Sequence, residues 1–289
     1  MIKEITAKTL LSSAKRPDPW FGIKYTMNLY RGCTHQCIYC DSRSECYQIE
    51  NFADVLVKVN AVDLLKKELP RKHVKGTIGT GSMSDPYLPL ESTRNLTGRA
   101  LEVIAQHQFP AHVLTKSDLV LRDLETLREI NQVYAAVSFT ITTADDELGK
   151  KLEPGAPIVS RRFTAMAQLA EADILTGVLL MPVLPFIEDN AENITAIVAR
   201  AHDCGAAYIL ASFGMTLRDR QRAYYYAQLD RLFTGLRKQY EQRFRDRYSA
   251  PANNAHRLEQ IFREQCERYG IATRMRLYEA AAPLQPALL

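Results

Sequence analysis

Three cysteines, Cys33, Cys37 and Cys40, lie within the segment Arg31-Gly32-Cys33-Thr34-His35-Gln36-Cys37-Ile38-Tyr39-Cys40. Gaps of three and two residues let one tight loop turn three thiolates toward a common centre, and Gly32 lets the backbone bend in front of them. Three thiolates suit a cubane [4Fe-4S] cluster and leave one iron without a protein ligand. That iron can take a small molecule, as the open position of a catalytic metal does. The competing arrangement is a closed zinc site with Cys46 or His35 as fourth ligand. Zinc sites, however, pair two-ligand knuckles across a longer gap, and no second C-x-x-C occurs here. Cys204 and Cys266 stand alone in helical contexts and read as small buried apolar residues.

A loop of this kind needs a scaffold that fixes it. Short apolar runs rich in β-branched residues predict strands near 25–30, 75–80, 111–115, 134–142, 174–181 and 207–212. Amphipathic stretches predict helices near 54–69, 94–107, 119–131, 161–172 and 191–204, with a long one beginning near residue 216. Six β-α units in regular alternation imply an α/β protein whose parallel sheet is joined by right-handed crossovers. The cysteine segment begins where the first strand ends, and in such sheets the loops after the strands' C-terminal ends form the active face. The turn-rich stretch 249–254 separates the long helix from a last one near 255–269. The expected division is a β/α unit over 1–215 and a helical extension over 216–289 packed on it.

Composition narrows the setting. Of 289 residues 46% are apolar and 24% charged, and no run approaches the roughly 18 apolar residues of a membrane span. The N-terminus, Met1-Ile2-Lys3-Glu4-Ile5, carries no apolar export signal, so a soluble, cytoplasmic protein with reduced cysteines and no membrane partner is expected. A net charge of +4 is too small to imply a polyanion partner. The stretch 218–247 is basic and tyrosine-rich, as a nucleic-acid-facing helix would be. Its apolar stripe of Leu217, Ala227, Leu229, Leu232, Phe233, Leu236, Tyr240 and Phe244 favours plain burial, with the charges as the solvated face.

The C-x3-C-x2-C arrangement with Tyr39 before its last cysteine resembles the radical S-adenosylmethionine (SAM) superfamily. The segments Met27-Asn28-Leu29-Tyr30-Arg31-Gly32-Cys33, Ser84-Asp85-Pro86-Tyr87, Leu114-Thr115-Lys116-Ser117, Ser138-Phe139-Thr140-Ile141-Thr142-Thr143 and Glu153-Pro154-Gly155-Ala156-Pro157 are similar to its spore photoproduct lyase-like branch. The resemblance covers roughly residues 20–215 and implies a partial (β/α)6 barrel. Its cofactors would be a [4Fe-4S] cluster on Cys33, Cys37 and Cys40 and SAM at the strands' C-terminal ends. An external electron donor of flavodoxin or ferredoxin type would reduce the cluster. The reaction implied is reductive cleavage of SAM to a 5′-deoxyadenosyl radical that abstracts hydrogen from a substrate, either a nucleic acid (DNA or RNA) or nucleotide, or a peptide or small molecule. A third reading is a non-catalytic metal-binding protein.

For the SAM site the resemblance gives Lys116 to the methionine carboxylate, an exposed loop lysine being the alternative; Ser84 and Asp85 can accept from the methionine ammonium, or Asp85 can instead cap the turn that follows it. Ser138, Thr140 and Thr142 alternate with Val137, Phe139 and Ile141 and so share one face of a strand; they are expected at the ribose and methionine ends. Arg162 is either a carboxylate partner or a helix-surface charge. Backbone groups of 181–185, Val183 among them, are expected at the adenine with Tyr39 packed nearby. The lyases carry a hydrogen-donating cysteine close to the Ser-Asp pair. Here Ser82 and Met83 occupy that loop, Asp41 follows Cys40, and Tyr87 is the nearest tyrosine.

Overall fold

The computed structural model describes residues 1–280; the last nine residues of the expected extension, 281–289, lie outside the described residues. In chain order the strands are β1 (Ile2–Ile5), β2 (Leu11–Ser13), β3 (Ile23–Met27), β4 (Tyr30–Arg31), β5 (Val55–Lys58), β6 (Thr77–Thr80), β7 (Ala111–Thr115), β8 (Ala135–Thr140), β9 (Leu175–Leu180), β10 (Tyr208–Ala211), β11 (Gly214–Thr216) and β12 (Ser249–Pro251). The helices are α1 (Ala61–Glu68), α2 (Glu91–Arg94), α3 (Leu96–Gln106), α4 (Leu124–Asn131), α5 (Asp146–Leu152), α6 (Val159–Glu171), α7 (Ala191–Asp203), α8 (Asp219–Leu232), α9 (Leu236–Phe244) and α10 (Ala255–Tyr269). None of these helices is long and apolar enough to cross a membrane.

Six strands, in the order β10-β9-β8-β7-β6-β3, form the expected parallel sheet, and β2 adds an antiparallel edge beside β3. A sheet covered by crossover helices should be apolar toward them. Accordingly Val113, Val137, Phe139, Ile141, Val178 and Leu180 share one core with Leu127 and Ile130 of α4 and with Phe163, Met166 and Leu169 of α6. The opposite face carries Ser138, Thr140 and Tyr208, and its lower part is closed by Tyr134, Leu179, Leu210 and Met275.

Several elements depart from the expectation. Residues 55–58, where the pattern predicts the start of a helix, form β5, the centre of a separate sheet ordered β1-β5-β4. Val55 and Val57 are buried while Leu56 and Lys58 are half-buried, a strand alternation that the adjoining helical pattern of α1 masks. The long helix expected from residue 216 is two, α8 and α9, broken at Gly235, whose φ of 80° lies in the left-handed region. The turn-rich stretch contributes β12, which pairs antiparallel with β11. Finally α10 packs back on α7.

Candidate active site

The cysteine loop leaves β4 through Gly32, whose φ is 82°; a Cβ there would lie 2.0 Å from the Asp54 carbonyl oxygen, so only glycine fits. Two distant segments clamp the loop. On one side the Ile38 N–H donates to the Leu152 carbonyl (2.8 Å) and the Gly155 N–H to the His35 carbonyl (2.9 Å). Gly155 sits so close that a Cβ would meet the Thr34 carbonyl oxygen at 2.0 Å. On the other side the start of α8 grips the loop: Arg218 pairs with Asp41 (2.7 Å), Ser44 donates to Asp219 (3.0 Å), and Gln221 donates to the Tyr39 carbonyl (3.2 Å).

So held, Cys33, Cys37 and Cys40 line one cavity of 570 Å³ together with Tyr39, Ser84, Asp85, Lys116 and Thr140. Met181 and Pro182 after β9 and Thr216, Ser249 and Pro251 of the β11–β12 ribbon complete its wall. Burial pushes the Cys33 thiol up to about 12 and raises Cys37 and Cys40 as well, so ligation must displace their protons. Against that burial, the backbone of Asp85 and His35 favours the ionised form of Cys33, and the backbone and hydroxyl of Ser42 that of Cys40.

Lys116 follows β7 and extends its ammonium over the Tyr39 ring, 5.9 Å from the centroid and 3.9 Å from Glu153 Oε1. Burial alone would lower it, but the Cys37 thiol and Glu153 reverse the shift and hold it above the ordinary lysine range. Asp85 is fully engaged by the protein. Its Oδ1 accepts from Thr115 (2.7 Å) and the Tyr87 N–H (2.8 Å), its Oδ2 from the Lys116 N–H (2.7 Å), and His35 Nδ1 stands 3.4 Å from Oδ2. Burial opposes its ionisation, yet His35 and these donors hold it down at about 2. Ser84 donates to the Gly32 carbonyl at 2.6 Å, tying the β6 loop to the cysteine loop.

Four expected contacts lie elsewhere. Ser138 is bonded to His112 Nε2 (2.7 Å) and Tyr208 (2.6 Å), below the cavity. Thr142 is buried past the strand's end, its carbonyl accepting from Asn193 (2.9 Å). Val183 is fully buried and gives its N–H to Ser212 (3.1 Å). Arg162 is no surface charge: at 1% exposure it pairs with Glu153 and donates to the Thr140 carbonyl (2.9 Å). Tyr87 also faces away, donating to Asp123 at 2.9 Å. Cys46 is exposed, 3.3 Å from Arg218 and Ser44, and outside the cavity wall, while His35 lines the wall against Asp85.

Glu153 carries more than sequence reasoning assigned to it. At 2% exposure it accepts from the Tyr39 hydroxyl, pairs with Arg162 and faces Lys116, so one carboxylate joins the cysteine loop, α6 and the end of β7. Two arginines of the basic stretch are likewise spent on the protein: Arg220 donates to the Arg43 and Ile49 carbonyls, and Arg222 to those of Leu217, Arg245 and Arg247.

Residues 27–197, more than half of the chain, match the radical SAM superfamily. The chain belongs to that superfamily. Its members are enzymes that work with SAM and an iron–sulfur cluster. An uncharacterized protein of Methanocaldococcus jannaschii is 35% identical over 191 residues, covering 65% of this chain and 70% of its own. A Pseudomonas phage M6 protein named radical SAM Nα-GlyT isomerase is 24% identical, covering 68% of this chain and 41% of its own. Among solved structures spore photoproduct lyase superposes with a TM-score of 0.69 at 17% identity, over 93% of this chain and 79% of that one. At such identity the likeness speaks for the fold.

Proposed function

We propose that this radical SAM protein holds a [4Fe-4S] cluster on Cys33, Cys37 and Cys40 and cleaves SAM reductively to abstract hydrogen from a nucleic acid or nucleotide. The observation that carries the reading is that three thiols, and not Cys46, share one cavity wall with an ammonium group, Lys116. The donor set fits a cubane: three thiols on one loop and no fourth cysteine on the wall. When bound and reduced by an external donor of flavodoxin or ferredoxin type, the cluster supplies the electron that splits SAM into methionine and a 5′-deoxyadenosyl radical.

The chain's own residues do the rest. Lys116 offers a point cation to the methionine carboxylate, and the buried Glu153–Arg162 pair keeps that cation beside the cysteine loop. Thr140 supplies a hydroxyl, and Met181 and Pro182 an apolar face for the adenine. Burial of Cys33 and Cys37 limits water at the reacting centre, with Cys40 half-buried beside them. In this reading 1–215 carries both cofactors, 216–289 braces the cysteine loop, and the protein works in the cytoplasm. Support for a nucleotide substrate comes from spore photoproduct lyase, which has been solved with a dinucleoside photoproduct. Ser82 and Met83 on the cavity wall supply no thiol, so the reading stops short of the lyase reaction itself.

Anaerobic reconstitution with iron, sulfide, a reductant and SAM should yield a brown protein that releases 5′-deoxyadenosine; stoichiometric zinc without sulfide would sink the proposal. DNA or RNA binding that weakens as salt rises supports the substrate class, and no binding at low salt removes it. Lys116→Ala should leave the cluster spectrum intact and weaken SAM binding. It deletes a charge-assisted bond of about 1.5 to 3 kcal/mol, roughly tenfold or more in affinity. An unchanged dissociation constant would refute that role.

A further inference from the structure

Behind the cysteine loop, outside the cavity wall, lies a cation to which neither SAM binding nor the Glu153 cluster gives a task. Arg43 is 8% exposed, and its guanidinium is sandwiched between the rings of Tyr224 (3.5 Å) and Phe52 (4.5 Å). One amino group donates to Gln36 Oε1 (2.7 Å), while the buried Nε has no partner. Among the described residues no carboxylate comes within 4.0 Å of it. The other deeply buried arginine, Arg162, has Glu153.

Aromatic faces and one neutral amide compensate a buried cation less than an opposite charge does, and an ion left uncompensated inside a protein is strongly destabilising. What Arg43 does have nearby is the cysteine loop. Its backbone N–H donates to the Cys40 carbonyl (3.3 Å), and Gln36 bridges its side chain to the Cys33 carbonyl. Burial lowers the Arg43 guanidinium, against which negative charge on Tyr224 and on Cys40, Cys37 and Cys33 would act. A cubane on three thiolates is an anion, and it gains a further negative charge when reduced.

We propose that Arg43 is the counter-charge of the cluster: a positioning residue that touches neither SAM nor substrate but stabilises the reduced cluster through its field. The inference rests on the assignment of the cluster to Cys33, Cys37 and Cys40. Its direction comes from charge alone, since a fixed cation favours the more negative oxidation state and so raises the potential.

The test is a potentiometric titration of the reconstituted cluster, followed by its electron paramagnetic resonance signal without SAM or substrate. Arg43→Gln should lower the reduced fraction at a fixed potential by about tenfold, which for a one-electron couple is 59 mV. Arg43→Lys, which breaks the aromatic sandwich but keeps the charge, should stay near the wild-type potential. Should Arg43→Gln fail to load iron, Arg43→Met serves instead: it keeps an unbranched chain between the two rings without the charge and should move the potential the same way. If the neutral variants load a cluster at the wild-type potential, or Arg43→Lys falls as far as Arg43→Gln, Arg43 is a packing residue and the proposal fails. A wild-type chain that takes up no cluster overturns the underlying assignment first, an outcome visible before any titration.

Discussion

Cys33→Ala, Cys37→Ala and Cys40→Ala should each give a chain that folds, takes up no iron–sulfur cluster and releases no 5′-deoxyadenosine. Two thiolates cannot hold a cubane against exchange, and no other cysteine stands on the cavity wall to replace the missing one. Folding should survive because the loop's shape does not depend on its sulfurs: main-chain bonds from Ile38 and Gly155 and side-chain bonds from Arg218, Asp219 and Gln221 hold it. Cys46→Ala is the control, since its thiol is bonded to Ser44 and Arg218 outside the cavity. Iron and sulfide analysis after reconstitution reads both outcomes. Retention of the cluster in any of the three variants, or its loss in Cys46→Ala, would show that the ligand set is a different one.

Glu153→Ala should cost about 3 to 5 kcal/mol of folding stability, the range found when one partner of a buried ion pair is removed and the other is left uncompensated. Arg162, 1% exposed, would keep its bonds to the Pro157 and Thr140 carbonyls but lose its one carboxylate contact among the described residues, and Tyr39 would lose its acceptor. Urea unfolding of the cluster-free protein measures the effect apart from any metal. A loss below about 1 kcal/mol, the range of an exposed pair, would mean that Glu153 is solvated and does not organise the site. Since the same carboxylate faces Lys116, surviving protein should also bind SAM more weakly.

How far the site could be read from sequence depended on whether its residues announce themselves locally. The cysteine spacing, the Ser84-Asp85 turn and a lysine at a strand's end are local patterns, and the cavity gathers all of them. The hydroxyl row of β8 was legible as a face but not as a depth. Alternation places Ser138 and Thr140 on the same side, yet only Thr140 reaches the cavity, while Ser138, two residues lower, is consumed by His112 and Tyr208. Arg162 and Glu153 lie nine positions apart, but nothing in either segment says that the intervening turn buries both. Likewise β5 hides in a helical pattern because the strand that requires it, β1, is more than fifty residues away. The basic stretch was legible in its apolar stripe, whose Leu217, Leu229, Leu236, Tyr240 and Phe244 are buried as expected, whereas the bonds of Arg220 and Arg222 to carbonyls of their own chain leave no local mark.

The double clamp on the cysteine loop sets an order of events during synthesis. The three thiols leave the ribosome early, but Ser44 finds Asp219 across 175 residues and Tyr39 finds Glu153 across 114. Contacts between such distant segments form late, because closing a long stretch of chain must precede any gain from the bond. A nascent chain that ends before α8 therefore presents its cysteines on a loop fastened on one side at most. If Cys33, Cys37 and Cys40 hold the proposed cluster, the loop that receives iron and sulfide is fully held only once α8 has been made.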